Sequence, residues 1–255
     1  MNKIEIEILN PEAIENCEKM MVCCARLTQR GHNITNMTEF KELYNKSYTD
    51  NTLKSLINLP HPTIQKFGVI NIAIVGASRR FLAQITRHQN EVKFMSASLQ
   101  YSDYSNNNSD DNFVVPYNIL VKGDVEIANY LDTCKKAMSK YKETVESGID
   151  NDSAGYLAPQ SLRNILIISA TPYQWKHMIS QRSCKRNTDE MRYIMLRIWE
   201  KLYDINQTLF ENCGPWCLTE GRCKEGKMCC KKPMQHFLFS PGELWFDDYP
   251  KVLYK

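Results

Sequence analysis

The densest run of chemically capable side chains in this 255-residue chain is Arg79-Arg80-Phe81-Leu82-Ala83-Gln84-Ile85-Thr86-Arg87-His88-Gln89. Gln84, Arg87 and His88 recur at spacings of three and four, which predicts one shared face at a helix end. An arginine offers a planar fork that fits a phosphate, and a histidine can donate, stack or move a proton near neutrality. The plainer reading of the same residues is a solvated basic helix end, which the helix dipole favours. A second concentration lies near the C-terminus: Cys213, Cys217, Cys223, Cys229 and Cys230. Four of those five thiolates would suffice for a tetrahedral zinc, although their gaps match no standard ribbon pattern. Free packing thiols or a redox-sensitive disulfide are the competing readings.

These groups need elements to hold them. Pro11 to Arg30 carries Ile14, Cys17, Met21, Cys24 and Leu27 at helical spacing, with Gly31 as an expected left-handed stop. Shorter helices are predicted over 38–48 and 53–57, followed by a turn at His61-Pro62-Thr63. Phe67 to Val75 is rich in Val and Ile and predicts a buried strand. Ser78 can cap a helix over 79–88, and a strand or strand-like loop follows from Val92 to Tyr101. The polar tract Asn106 to Asn112 reads as a mobile loop. A long amphipathic helix covers 124–147, and Ser161 to Ile168 continues with apolar spacing. Thr171-Pro172 opens a helix through Gln181, and Asn187 with Glu190 outlines a capping box for a helix over 191–209. The fold class is α/β (α+β), helix-rich, with one domain and a Cys-rich tail. Residues 1–212 form that domain and 213–255 a Cys-rich extension packed on it.

Composition narrows the function. Thirty-two basic against 29 acidic residues give a net charge of +3, too even for a general nucleic-acid coat. A zinc-stapled nucleic-acid-binding module is therefore the weaker alternative. No apolar run reaches the ~20 residues of a membrane span, and the N-terminus lacks the apolar stretch of a signal peptide. The chain is expected in the cytoplasm, with its ten cysteines mostly reduced.

An ordered set of matches resembles the flavin-dependent thymidylate synthases. That family carries Arg-His-Arg, seven residues, a serine and shortly an Arg-Tyr pair. Arg87-His88-Gln89, eight residues, Ser98 and then Gln100-Tyr101 resemble this signature, with glutamine at both second arginines. Cys23-Cys24-Ala25-Arg26 resembles the first helix. His61-Pro62-Thr63 resembles the start of the family's His-x-Ser/Thr-x-x-Glu-His element, with Lys66 and Phe67 at its last two positions. Gln84 stands at a nucleotide-pocket glutamine, and Leu157-Ala158-Pro159 resembles a Leu-Pro turn. From that proline the alignment runs without gaps, placing His177 at a flavin-contacting asparagine and Arg182 at a nucleotide-binding arginine. The resemblance covers roughly residues 10 to 212.

The resemblance implies the thymidylate synthase-complementing protein fold, a helix-rich single domain around a small, mostly antiparallel sheet, and transfer of a one-carbon unit from methylenetetrahydrofolate to carbon 5 of dUMP. FAD supplies the hydride, NADPH reduces the flavin, and the enzyme is a homotetramer with shared active sites. Arg87, His88, Ser98 and Arg182 would be catalytic. His61, Thr63, Arg87, His88, Gln89, Thr171, Tyr173 and His177 would hold flavin or folate. Gln84, Arg87, Ser98, Leu99, Gln100 and Arg182 would bind dUMP. Two family arginines are replaced, one by Gly155 and one by Tyr173. Lys66, Arg79, Arg80 and Lys185 are candidates to compensate. These departures keep a related outcome open, such as hydroxymethylation of a pyrimidine nucleotide.

Overall fold

The computed structural model describes residues 4–238 and 251–254, with side chains through Met234. Its centre is a four-stranded sheet of β1 (Glu5–Ile8), β2 (Ile70–Ser78), β3 (Val92–Ser96) and β4 (Arg163–Ala170), in the order β1-β2-β4-β3. Every pairing is antiparallel: Ile6 lies opposite Ile74, Ile72 opposite Ile168, and Phe94 opposite Ile168 on the far side. Side chains alternate with period two, as a half-buried sheet demands. Ile70, Ile72, Ile74, Leu166 and Ile168 point into the core, whereas Val75, Met95, Ile165 and Ile167 are exposed on the other face.

Two strands were not legible as strands. β1 shows its Glu-Ile alternation, but four residues give little periodicity to weigh. In β4 both faces are apolar, so spacing alone does not separate strand from helix.

The helices cover the inner face. α1 (Glu12–Arg30), α2 (Met37–Asn45) and α3 (Asp50–Ile57) come first, the latter two capped by Asn36 and Thr49. α4 (Arg79–Ile85) follows β2 directly. α5 (Tyr117–Leu120), α6 (Asp124–Glu146) and α7 (Asn151–Ala154) carry a second apolar cluster around Phe113, Met138 and Tyr141. α8 (Pro172–Arg182) and α9 (Asp189–Ile205) close the main core, with Trp175, Ile194, Leu196 and Ile198 fully buried. α10 (Gln207–Phe210), α11 (Trp216–Thr219) and a hairpin of β5 (Met234–Leu238) with β6 (Lys251–Tyr254) complete the described chain.

Several boundaries differ from the sequence expectation for identifiable reasons. Gly31 is right-handed (φ −58°), because the chain continues into a one-turn 3-10 segment instead of stopping. The helix expected to run to Leu209 breaks at Asn206, whose extended backbone lets its side chain accept from Leu209 N at 2.7 Å. The cap of α9 is Thr188, not Asn187. The 106–112 tract is pinned: Asn108 donates to Ser139 (3.1 Å), Lys135 pairs with Asp110 (2.9 Å), and Ser109 and Asn112 cap each other.

Candidate active site

The site grows out of the end of β2. A bulge between Val75 and Ala77, at Gly76 with φ 87°, breaks the alternation and buries both Ala77 and Ser78. Only a residue at ease with positive φ fits that bulge without strain. Ser78 Oγ then caps α4 by accepting from Phe81 N at 3.0 Å. The same hydroxyl and the Ser78 backbone N–H donate to the buried carboxylate of Glu190, at 2.5 and 2.6 Å. The first turn of α9 is thereby fixed to the first turn of α4, and Gln84 is brought beside Thr188 (3.4 Å).

α4 stops at Ile85, so Gln84, Arg87 and His88 do not share one helix face as expected. Thr86 is the C-cap, and Arg87 and His88 lie in the turn beyond. The turn separates them: Arg87 and Gln89 are exposed, while His88 is buried at 7% exposure. Arg182, on the last turn of α8, closes on that turn. Its Nε donates to His88 Nε2 (2.9 Å), one Nη to the Gln84 carbonyl (3.1 Å) and the other to Asn187 Oδ1 (3.3 Å). The His177 ring stands edge-on to His88 at 6.1 Å, and Gln181 bonds His177 Nε2 at 2.8 Å.

Arginine can only donate, so His88 Nε2 must be the bare nitrogen and Nδ1 carries the proton. Burial, then Arg182 and His177, push the His88 pKa down to about 4. His88 is thus a neutral imidazole at physiological pH. Burial also lowers His177, and burial followed by the nearby Arg87 lowers Arg182.

At the start of α8 a second set assembles. Thr171 caps the helix and donates to Glu91 (3.2 Å), Glu91 pairs with Lys66 (2.7 Å), and the Lys66 ammonium stands 5.2 Å from the Tyr173 ring. Glu91 has a left-handed backbone (φ 55°), a strained conformation for glutamate. The 62–66 turn that carries Thr63, and that His61 enters, is tied to α8 by Lys176 donating to Gln65 at 3.0 Å. His61 and Thr63 themselves are exposed.

Ser98, Leu99 and Gln100 lie elsewhere. They line a cleft of about 660 Å³ with Arg79, Gly155 and Gln160, and the lining includes neither Gln84, His88 nor Arg182. Ser98 Oγ accepts from the Gln100 N–H at 3.0 Å. A single chain therefore presents the expected nucleotide residues as two separate groups.

The cysteines depart from expectation. Cys213 is withdrawn into the main core, where burial pushes its thiol up to about 12. Cys184, absent from the sequence-based set, lines a cavity with Cys217, Cys223 and Arg182. Among the described residues no three His, Cys, Asp or Glu side chains are grouped to hold a metal ion.

Sequence reasoning missed Glu91, Gln181, Asn187 and Glu190 as members of this constellation. Asn187 and Glu190 carried a signal, as the cap and the acid of an expected capping box; the fold makes Thr188 the cap and gives Glu190 Ser78 instead.

A family description, "Thymidylate synthase complementing protein", matches residues 12–206, which contain every element of this site. The chain belongs to that family. It is 25% identical over 199 residues to the flavin-dependent thymidylate synthase of Thermococcus onnurineus, covering 75% of this chain and 79% of that protein. The corresponding protein of Pyrococcus abyssi is 25% identical over 213 residues, with 79% and 85% covered. Among solved structures, Thymidylate Synthase X from Helicobacter pylori with FAD and dUMP superposes with a TM-score of 0.61 at 17% identity, covering 83% of this chain and 99% of that one. A UMP/dUMP methylase, PolB from Streptomyces cacaoi bound with 5-Br dUMP, gives 0.60 at 13%, covering 82% and 94%. These structures share the fold of this family member. No described helix is long and apolar enough to cross a membrane.

Proposed function

We propose that this chain is a flavin-dependent thymidylate synthase, converting dUMP to dTMP with methylenetetrahydrofolate, FAD and NADPH. The observation that carries the reading is the convergence of Gln84, His88 and Arg182 within a chain matched to the family from residue 12 to 206. Bound FAD would supply the hydride. The protein's part is to bind, orient and hold charge.

Arg182 is fixed at three points, so its guanidinium is held rigid for an anionic or carbonyl oxygen of the nucleotide. Neutral His88 presents its Nδ1–H and an uncharged ring face, suited to a flavin or pyrimidine, without adding a cation beside Arg182 and Arg87. Gln84 supplies an amide for base or sugar. Thr171, Tyr173 and His177 would serve the flavin from α8, and the exposed Gln89, His61 and Thr63 would contact flavin or folate. Ser98, Leu99 and Gln100 form the nucleotide's second wall.

Because the two nucleotide groups are separate within one chain, a second copy is needed to complete the site. The open sheet face supports this: Val75 lies opposite Ile165 and Met95 opposite Ile167, all exposed, in one apolar patch. A homotetramer in the cytoplasm, acting on small molecules, fits these features.

The test is product analysis with dUMP, methylenetetrahydrofolate, FAD and NADPH. Formation of dTMP by a yellow, flavin-loaded protein is expected. A hydroxymethyl nucleotide as the product would replace the synthase reading with the related one, and absence of flavin binding would end both.

A further inference from the structure

We propose that Arg79 grips the monophosphate of the nucleotide substrate and so selects nucleotide over nucleoside, an inference that rests on the nucleotide reading above. Arg79 opens α4, where its own N–H donates to the Leu162 carbonyl (3.0 Å) and the next N–H to the Gln160 carbonyl (2.9 Å). Its backbone is therefore stitched to the turn that enters β4, and its side chain projects from a rigid base into the cleft of Ser98, Leu99 and Gln100.

That side chain is half-buried, and one of its Nη atoms is buried without a hydrogen-bond partner. No hydrogen bond or ion pair holds the guanidinium among the described residues. Burial lowers its pKa, opposed only in part by the Tyr104 phenol, and no carboxylate pairs with it among the described residues. Folded proteins rarely leave a buried guanidinium nitrogen unpaired, and where they do a bound anion is a natural complement. The one acid among the lining residues, Asp152, is exposed.

The surroundings match a phosphate. The Ser98 hydroxyl accepts from Gln100 N–H and keeps its own proton to donate. Across the cleft, Gly155 lies so close that a Cβ there would stand 3.1 Å from Leu99 Cβ. A side chain at 155 would press on the Ser98–Gln100 loop, so a cation for this cleft has to come from another element.

The other basic candidates are directed elsewhere. Lys66 is held by Glu91, Arg80 lines a different cavity with Thr188 and Glu190, and Lys185 is not part of the lining.

The experiment compares wild type, Arg79→Ala and Arg79→Lys, all flavin-loaded, for binding of dUMP, deoxyuridine and FAD by calorimetry and competition. Arg79→Ala is expected to weaken dUMP about tenfold to a hundredfold, the loss of a charge-assisted pair. Arg79→Lys, a point charge without the fork, should fall between. Deoxyuridine and FAD should change less than about twofold. Equal losses for dUMP and deoxyuridine, an unchanged dUMP affinity, or a loss confined to FAD would each overturn the assignment. If the alanine variant does not fold, the lysine variant carries the same comparison. Wild-type protein that binds FAD but neither nucleotide nor nucleoside would overturn the nucleotide reading itself.

Discussion

The neutral His88 has a consequence for stability that a single substitution isolates. Its pKa lies at about 4 in the folded chain against an ordinary 6.5. Between those values the unfolded chain binds a proton that the folded chain refuses, so stability falls as pH drops through that window. At about 1.36 kcal/mol per tenfold, the full gap is worth about 3 kcal/mol below pH 4. Between pH 7 and pH 5 the same linkage gives a loss of about 1–2 kcal/mol, allowing for solvent at the open side of the cluster. His88→Gln places a non-titrating acceptor where Nε2 receives Arg182. Urea unfolding of the full chain at fixed protein concentration, at pH 7 and pH 5, should show wild type losing that much more than the variant. His177 and the carboxylates contribute equally to both and cancel. If the two proteins lose stability in parallel, His88 is not held neutral by the fold and the assignment of its bare Nε2 is wrong.

Two further outcomes follow from geometry. Arg182→Ala should weaken dUMP at least about tenfold while leaving FAD within a few-fold, because three hydrogen bonds place its fork beside Gln84; a larger loss of FAD in equilibrium dialysis would move Arg182 to the flavin side. Gly68→Ala should destabilise by about 2–4 kcal/mol, since its φ of +78° disfavours a Cβ that would also lie 2.5 Å from Cys17 Sγ. Thermal unfolding measures that, and an unchanged melting temperature would show that α1 gives way at no cost.

Much of the scaffold was legible because it rests on local rules. Ser78 and Thr171 were visible as caps because an oxygen before a helical run has one profitable use. The Ile spacing in β2 and the long apolar stripe of α6 were likewise local. The groups that shape the site were less visible because they act across the chain. Glu190 reads as part of its own helix's cap until Ser78 is brought to it. Nothing in the Asn90-Glu91 step announces that Glu91 will adopt a left-handed backbone and receive both Lys66 and Thr171. The separation of Ser98 to Gln100 from Gln84 is a matter of topology, since β3 crosses to the far edge of the sheet before the Ser98 loop begins. Cys213 and Cys184 exchanged expected places for the same reason: spacing does not say which thiol a core will enclose.

The Ser78–Glu190 contact spans 112 positions of sequence. Closing so long a loop costs chain entropy that grows only as the logarithm of its length, but that cost must be met before the contact gives anything back. Everything between, including the whole of α6 and its own apolar cluster, can consolidate earlier. The anchoring of Ser78 by Glu190 and the placement of Gln84 against Thr188 then await the arrival of α9, which makes competence for the nucleotide a late event in folding. A nascent chain would present its sheet edge and second apolar cluster before it can hold a ligand.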